Sequence, residues 1–158
     1  MAKITISKNK KLPFDANLVC SAVLEVLEQT DNYLVEVNMV DAQTIRSVNK
    51  EFRDKDAVTD VLSFPTLDGI RYKKVTKEDF PLDLDESGKR VFLGSIIICL
   101  SRAKEQAEEF NHGLDRELCY LLTHGLLHLF GYDHVIEKDD REMRSLANAV
   151  MEKIGIKR

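Results

Sequence analysis

Four short segments of the chain are rich in apolar and β-branched residues and are predicted to form β-strands. They span residues 3–7, 33–40, 61–65 and 91–100. In the second segment Val35, Val37 and Met39 alternate with polar residues, as in a strand with one buried face. The last segment contains three consecutive isoleucines and is predicted to be a central strand.

Apolar periodicity and capping residues predict helices between and after these strands. The predicted helices cover residues 18–27, 42–52, 101–111, 114–130 and 138–153, with Asp15 capping the first and Ser101 the third. Residues 114–130 are apolar almost all round, which indicates a buried helix. Residues 67–90 are rich in charges and are predicted to form a long exposed loop. This order predicts an α+β fold, a small mixed β-sheet covered by helices with a buried central helix.

The composition is that of a soluble globular protein. The chain has 158 residues, of which 44% are hydrophobic and 32% charged, and residues 1–158 are predicted to form a single domain. No apolar run approaches the roughly 20 residues that a membrane-spanning helix needs. Three cysteines far apart in the sequence indicate buried thiols in a reducing compartment, so we expect a cytoplasmic protein.

The charge balance argues against a protein that coats nucleic acid. There are 23 basic and 27 acidic side chains, which give a net charge of −4. A protein that binds nucleic acid by bulk electrostatics is usually basic. A basic cluster in residues 71–77 lies within the predicted loop, and we predict that it is solvated.

Three of the four histidines lie within eleven residues, at His124, His128 and His134. His124 and His128 are four residues apart and therefore share one face of the predicted buried helix. Gly131 is placed to end that helix, so that His134 can turn back toward the other two imidazoles. Three imidazoles form the ligand set of a catalytic zinc site, which keeps one position open. The predicted tripod lies at one end of the helix and opens toward the sheet.

A structural role for these histidines is the alternative. One histidine on an apolar helix is often a core residue, but burying a polar group without a partner costs roughly 2–7 kcal/mol. Three imidazoles at this spacing need a partner that all three can share, and a metal ion is such a partner. Zinc suits such a site, although nickel, copper and iron accept the same ligands.

Gly125, which follows the first histidine, excludes one kind of metal chemistry. Zinc proteases with the His-x-x-x-His spacing carry a glutamate there as the general base, and glycine cannot accept a proton. Glycine at this position is expected either to leave room above the metal for a bulky substrate or to allow a close contact between two helices.

The stretch from His124 to His134 resembles the signature of the YbeY family, bacterial endoribonucleases that mature ribosomal RNA. The resemblance extends to residues 49–65, 93–98 and 116–118 and to His112, and runs from about residue 30 to the C-terminus. One position departs from the family pattern, because Ser95 stands where members usually carry aspartate.

The resemblance implies a single-strand-specific, zinc-dependent endoribonuclease that acts on the 3′ end of small-subunit ribosomal RNA and in ribosome quality control. It implies one zinc ion on His124, His128 and His134, and a catalytic role for Arg53. It also implies single-stranded and ribosomal RNA as substrates and the small ribosomal subunit, or its assembly proteins, as partners. RNA would meet a local groove of Arg53 and Lys55, aided by Lys50.

Several alternatives remain open at this stage. The nucleophile is either water or the ribose 2′-hydroxyl, and only the second gives a 2′,3′-cyclic phosphate first. Arg53 either binds phosphate in a bidentate fork or pairs with an acidic neighbour, for which the sequence offers Asp54, Asp56 and Asp60. His112 is predicted to be structural. Asp133 and Tyr132 are candidates to accept a hydrogen bond from the second ring nitrogen of a ligating histidine. For Asp133, a turn-forming role is the alternative.

Two other functions compete with the nuclease. A non-catalytic ribosome-assembly factor would use zinc for structure, and such sites normally have four protein ligands. A zinc hydrolase acting on a peptide or a small phosphoester is the second, although Gly125 counts against peptides.

Overall fold

The computed structural model describes residues 2–155. Within them the chain forms four strands and five helices, in the order β1 (Lys3–Lys8), α1 (Ala16–Val26), β2 (Asn32–Val40), α2 (Ala42–Arg53), β3 (Val61–Pro65), β4 (Val91–Cys99), α3 (Leu100–Glu109), α4 (Leu114–Leu129) and α5 (Glu137–Lys153). The predicted α+β class and the predicted elements are confirmed, with ends that differ by one or two residues. Across the described residues, no helix combines the length and apolar character needed to cross a membrane.

The sheet is mixed, with strand order β1-β2-β4-β3. β1, β2 and β4 are parallel, and β3 pairs antiparallel with β4 at the edge. The register between β2 and β4 shifts at Leu34 and Val35, opposite Gly94. Gly94 has a φ of +134°, and a Cβ there would lie 2.2 Å from the carbonyl oxygen of Phe64. Only glycine allows β3 to approach β4 this closely at the irregularity.

Helix α4 forms the centre of the core. It packs against β3 and β4 and also contacts α1, α3 and α5. A Cβ on Gly125 would lie 2.9 Å from Cδ1 of Ile96, so the glycine lets α4 lie close against β4. The glycine does serve a close contact, as one of the two expectations has it, but the contact is with strand β4 and not with another helix. The other expectation, room above the metal, is wrong, because this face of the glycine is filled by Ile96.

The helix caps agree only in part with the sequence prediction. Asp15 caps α1 through a hydrogen bond from the Leu18 amide, as predicted. Ser101 does not cap α3, because the helix begins at Leu100 and no side chain bonds to its N-terminus. β4 continues directly into α3, which leaves Ser101 inside the first turn.

The segment between β3 and β4 is not simply an exposed loop. Leu67, Ile70 and Val75 are buried in the core. The Tyr33 hydroxyl donates a 2.7 Å hydrogen bond to the carbonyl oxygen of Val75, and the Val75 amide donates a 2.9 Å hydrogen bond to Oε1 of Gln29. These few isolated apolar residues hold the segment against the core. They are too few to give a periodic apolar pattern in the sequence.

Candidate metal centre

The three histidines of the predicted tripod meet at the C-terminal end of α4. His124 and His128 lie one turn apart on the helix, and their Nε2 atoms are 3.1 Å from each other. His134 follows the helix, with its ring centroid 5.3 Å from that of His124 and 5.2 Å from that of His128. One nitrogen from each ring lies within 4.8 Å of the other two. The structure thus brings together all three residues that the sequence singled out.

A tight turn after α4 places the third histidine. The Gly131 amide donates to the carbonyl of His128 and the Tyr132 amide donates to the carbonyl of Leu127, which together form a Schellman motif. Gly131 has a φ of +97°, a conformation that favours glycine. This confirms its predicted role in ending the helix and sends the chain back toward His124.

Arg71, in the segment between β3 and β4, secures this turn. Its Nε donates a 3.0 Å hydrogen bond to the carbonyl of Gly131, and its guanidinium pairs with Asp133 at 2.7 Å and with Asp139 at 3.0 Å. Its guanidinium carbon also lies 5.9 Å from the centre of the Tyr132 ring. One side chain therefore joins both ends of the turn that carries His134.

The prediction that the basic cluster around Arg71 is solvated is therefore wrong for Arg71 itself. The carboxylate of Asp133 accepts from Arg71 and also, at 3.4 Å, from the Val135 amide, which is a turn-forming contact. The sequence contained no signal for this link, because its partners lie about 60 residues apart.

The three imidazoles fit a divalent metal ion. Tetrahedral zinc with nitrogen ligands at about 2.0–2.1 Å holds those nitrogens roughly 3.3 Å apart, close to the separation of the helical pair. Burial lowers the pKa of the His128 imidazole below its ordinary value, and the charges of His134 and Arg53 lower it further. A lowered pKa favours the neutral imidazole, which is the form that binds metal. Among residues 2–155, the side chains close enough to share an ion here are His124, His128 and His134.

Arg53 lies at the end of α2 and faces the same site. Its Nη2 donates a 2.6 Å hydrogen bond to the carbonyl of Ser63, and its guanidinium carbon lies 5.5 Å from the centre of the Phe64 ring. Asp56, one of the acidic neighbours that could have paired with it, instead pairs with Arg46 at 2.7 Å. Strand β3 therefore fixes the direction of the Arg53 side chain.

A cavity of about 620 Å³ joins Arg53 to the histidines. Lys55 and all three histidines also line it, and β3 forms one wall. The prediction that the tripod opens toward the sheet is confirmed. Lys50, the third predicted cation, is not among the residues that line this cavity. It lies near Asp56, whose pKa is lowered mainly by its hydrogen bond with Arg46 and further by the charge of Lys50.

Two other predicted residues lie away from the cavity. His112 contacts Glu117 at 2.6 Å between Nε2 and Oε1, and both side chains are buried, which confirms its structural role. The Ser95 hydroxyl donates a 3.0 Å hydrogen bond to Glu36 on the neighbouring strand. Because Ile96 faces α4, Ser95 points to the opposite face of the sheet, so it does not line the histidine site. Glu36 supplies a carboxylate beside the position that usually carries one.

Comparison with known proteins shows the family. A family model described as Endoribonuclease YbeY matches residues 2–155, which extends the resemblance seen in the sequence to the N-terminal strand and helix. The Endoribonuclease YbeY of Finegoldia magna is 43% identical over 126 residues, which cover 80% of this chain and 72% of the relative. That of Bacillus cereus strain B4264 is 40% identical over 146 residues, covering 87% and 88%.

A solved structure has the same fold. The solution structure of TM1509 from Thermotoga maritima aligns with 97% of this chain and 91% of its own, with a TM-score of 0.54 and 25% identity. The match to the family model covers nearly the whole chain, including the histidine cluster, Arg53 and the strands that hold them. The chain belongs to the Endoribonuclease YbeY family.

Proposed function

We propose that this chain is a single-strand-specific, zinc-dependent endoribonuclease that acts in ribosomal RNA maturation. The observation that carries the proposal is one cavity that contains three converging imidazoles, Arg53 and Lys55. Metal ligands beside a guanidinium and an ammonium group suit a phosphodiester, which is negatively charged before and during cleavage. Relatives named as endoribonucleases at about 40% identity support the same reaction.

His124, His128 and His134 hold the ion in this proposal. When bound, a zinc ion acts as a Lewis acid that polarises a phosphoryl oxygen and makes a nucleophile available at neutral pH. The two helical histidines are set by α4, and the lowered pKa of His128 favours the neutral imidazole, whose nitrogen lone pair binds the ion. Position 125 is a glycine packed on Ile96, so no carboxylate stands where zinc proteases have their base.

Arg53 binds the scissile phosphate and stabilises the charge that develops on it. A guanidinium has five N–H donors, and the contact with Ser63 uses one of them. The remaining donors can form a bidentate pair with two phosphoryl oxygens. The Ser63 and Phe64 contacts hold the group in place before substrate arrives, which reduces the entropy that binding costs. Lys55 provides a further positive charge for the RNA backbone.

The biological setting is part of the proposal. The expected substrate is the 3′ end of small-subunit ribosomal RNA, with a further role in ribosome quality control. The small ribosomal subunit or its assembly proteins are the expected partners, and binding to them would add affinity that a net charge of −4 does not supply. The expected compartment is the cytoplasm, and residues 1–158 are expected to act as one catalytic domain.

Cleavage of a labelled single-stranded RNA by wild type and by Arg53→Ala tests the proposal. Both proteins are purified identically and matched for zinc content, and Arg102→Ala serves as a control because Arg102 is a partly exposed arginine of α3 paired with Glu105 and outside the cavity. We expect a loss of about 100-fold or more for Arg53→Ala, partial activity for Arg53→Lys, and wild-type activity for the control.

Equal activity in wild type and Arg53→Ala would contradict the role of Arg53 and would indicate a contaminating nuclease. If neither protein cuts RNA although both hold one zinc ion, the ribosome-assembly factor becomes the better account. Turnover of a small phosphoester without RNA cleavage would favour the other hydrolase.

A further inference from the structure

A second cavity meets the first at the histidines. It has a volume of about 560 Å³ and shares His124, His134 and Val61 with the Arg53 cavity. Its other walls come from α4 and from α5, which does not contribute to the Arg53 cavity. If a strand of RNA places its scissile phosphate at the histidines, the adjoining nucleotides on the two sides must occupy different surroundings. The second cavity is large enough for one of them.

The two cavities differ in charge. The Arg53 cavity contains Arg53 and Lys55, and its carboxylate, Asp133, is already paired with Arg71. The second cavity contains the carboxylates of Asp60 and Asp140 and the guanidinium of Arg144, which pairs with Asp140. Two carboxylates against one guanidinium repel phosphate on balance, so the sugar–phosphate backbone is better accommodated by the first cavity than by the second.

The second cavity combines an apolar floor with polar groups around it. The floor includes Leu121, Met143 and Ala147, each 2% exposed. The Asp140 carboxylate lies 3.0 Å from Nε of Arg144, and the exposed Asn148 follows one turn later on α5. A nucleobase has a flat apolar face and polar atoms at its edge, which is the complementary arrangement.

The carboxylates also determine which bases fit. A carboxylate accepts a hydrogen bond from the exocyclic amino group of cytosine, and adenine and guanine carry amino groups as well. Uracil has a carbonyl oxygen at C4, where cytosine has its amino group, and this oxygen repels a carboxylate. The Asp140–Arg144 pair therefore offers an acceptor beside a donor, which matches the amino group and the N3 acceptor of cytosine, whereas uracil has a carbonyl oxygen and an N3–H donor at these positions.

We infer that this cavity, between α4, α5 and β3, is a nucleobase subsite for the nucleotide next to the scissile phosphate and that it prefers cytosine over uracil. This inference rests on the proposed nuclease function, since it assumes that RNA reaches the histidines. The backbone is held by Arg53 and Lys55 on one side of the metal centre. The base on the other side is recognised by Asp140 and Asn148.

The first test measures kcat/KM for short RNAs that differ only in the base on one side of a single cleavable bond. Wild type should cleave the cytosine substrate at least about fivefold better than the uracil substrate on one side of the bond. Asp140→Ala should bring that ratio within about twofold of one, and Asn148→Ala should lower it less. Glu137→Ala is the matched control, because Glu137 pairs with Arg141 as Asp140 pairs with Arg144, on the same helix but outside the cavity.

The second test does not depend on cleavage. Zinc-loaded ¹⁵N-labelled protein is titrated with cytidine and uridine monophosphates, and the amide signals of residues 140–148 are followed. We expect saturable shifts with cytidine monophosphate, weaker binding of uridine monophosphate, and loss of the difference in Asp140→Ala. Absence of shifts in α5 would overturn the inference. In the cleavage test, a cytosine-to-uracil ratio of kcat/KM that is the same in Asp140→Ala and in Glu137→Ala would also overturn it. Wild type that binds cytidine monophosphate there but cuts no RNA would instead overturn the nuclease function.

Discussion

The histidine site is built from two regions of different character. His124 and His128 belong to α4, whose neighbouring residues are almost all buried, and their Nε2 atoms are aligned by the helix itself. His134 belongs to an exposed turn, which is held by Gly131 and by Arg71 from another part of the chain. Local helix geometry is enough to place the first two ligands. The third needs a tertiary contact, so its position is easier to perturb.

The largest expected effect is the loss of a helical ligand. His128→Ala should weaken zinc binding by more than about 100-fold, because losing a ligand costs more than the 10–100-fold typical of losing a group that supports one. Competition with a chromogenic chelator measures this affinity. His112→Ala is the control: it should bind zinc normally but lose about 1–3 kcal/mol of unfolding free energy, since it leaves Glu117 buried without its imidazole partner.

A smaller effect is expected from the region that holds the turn. Arg71→Ala should weaken zinc binding about 10- to 100-fold, because the turn loses its contacts with Gly131, Asp133 and Asp139. Arg71→Lys keeps the positive charge but loses the forked geometry of the guanidinium, so its zinc affinity should lie between those of wild type and Arg71→Ala. Arg90→Ala, which breaks an ion pair with Asp85 in the same segment, is the control. Zinc affinity equal in Arg71→Ala and wild type would remove the distinction between the two regions.

The helical region is expected to respond through packing. Gly125→Ala should cost about 1 kcal/mol of unfolding free energy, because the clash with Ile96 outweighs the better helix propensity of alanine. Ile96→Val removes the Cδ1 atom that a Cβ at position 125 would meet at 2.9 Å but keeps Cγ1 and Cγ2, so the same substitution should cost less in that background. Denaturant unfolding of the four proteins gives the coupling energy. If the effects of Gly125→Ala and Ile96→Val on the unfolding free energy were additive, the contact with Ile96 would not be the reason for a glycine at position 125.

The smallest effect is expected at the edge of the turn. Tyr72 donates a 2.6 Å hydrogen bond to Glu142 and packs edge-on against Tyr132, but its side chain is exposed. Tyr72→Phe keeps the ring contact and should change the unfolding free energy by less than about 0.5 kcal/mol and zinc affinity by less than about twofold. A loss as large as that of Arg71→Ala would mean that Tyr72 contributes as much as Arg71 to holding the turn.

The sequence predicted the elements of the fold because most of them carry local periodicity. The isoleucines of β4 and the apolar surface of α4 are visible without any partner, and the spacing of His124 and His128 follows from the helix. Gly131 could also be assigned to the helix end, since its position after an apolar run is a local signal. These features do not depend on which other segments pack nearby.

The errors have a different origin. Arg71 was predicted to be solvated because its partners Gly131, Asp133 and Asp139 are distant in the sequence. Ser101 was predicted as a cap because a serine near a helix start is a strong local signal, whereas β4 runs directly into α3. Gly125 had two interpretations that only its neighbour, Ile96, could separate. Long-range contacts and element junctions are what the single sequence does not contain.

The central claim is that the three histidines hold one metal ion on which RNA cleavage depends. Metal-free protein is titrated with zinc, and bound zinc and the rate of cleavage of a labelled single-stranded RNA are measured on the same samples. The account predicts that the rate rises in proportion to occupancy and levels off at one zinc per chain, and that His128→Ala stays inactive throughout. Cleavage by metal-free protein at the wild-type rate, or by zinc-free His128→Ala, would contradict it.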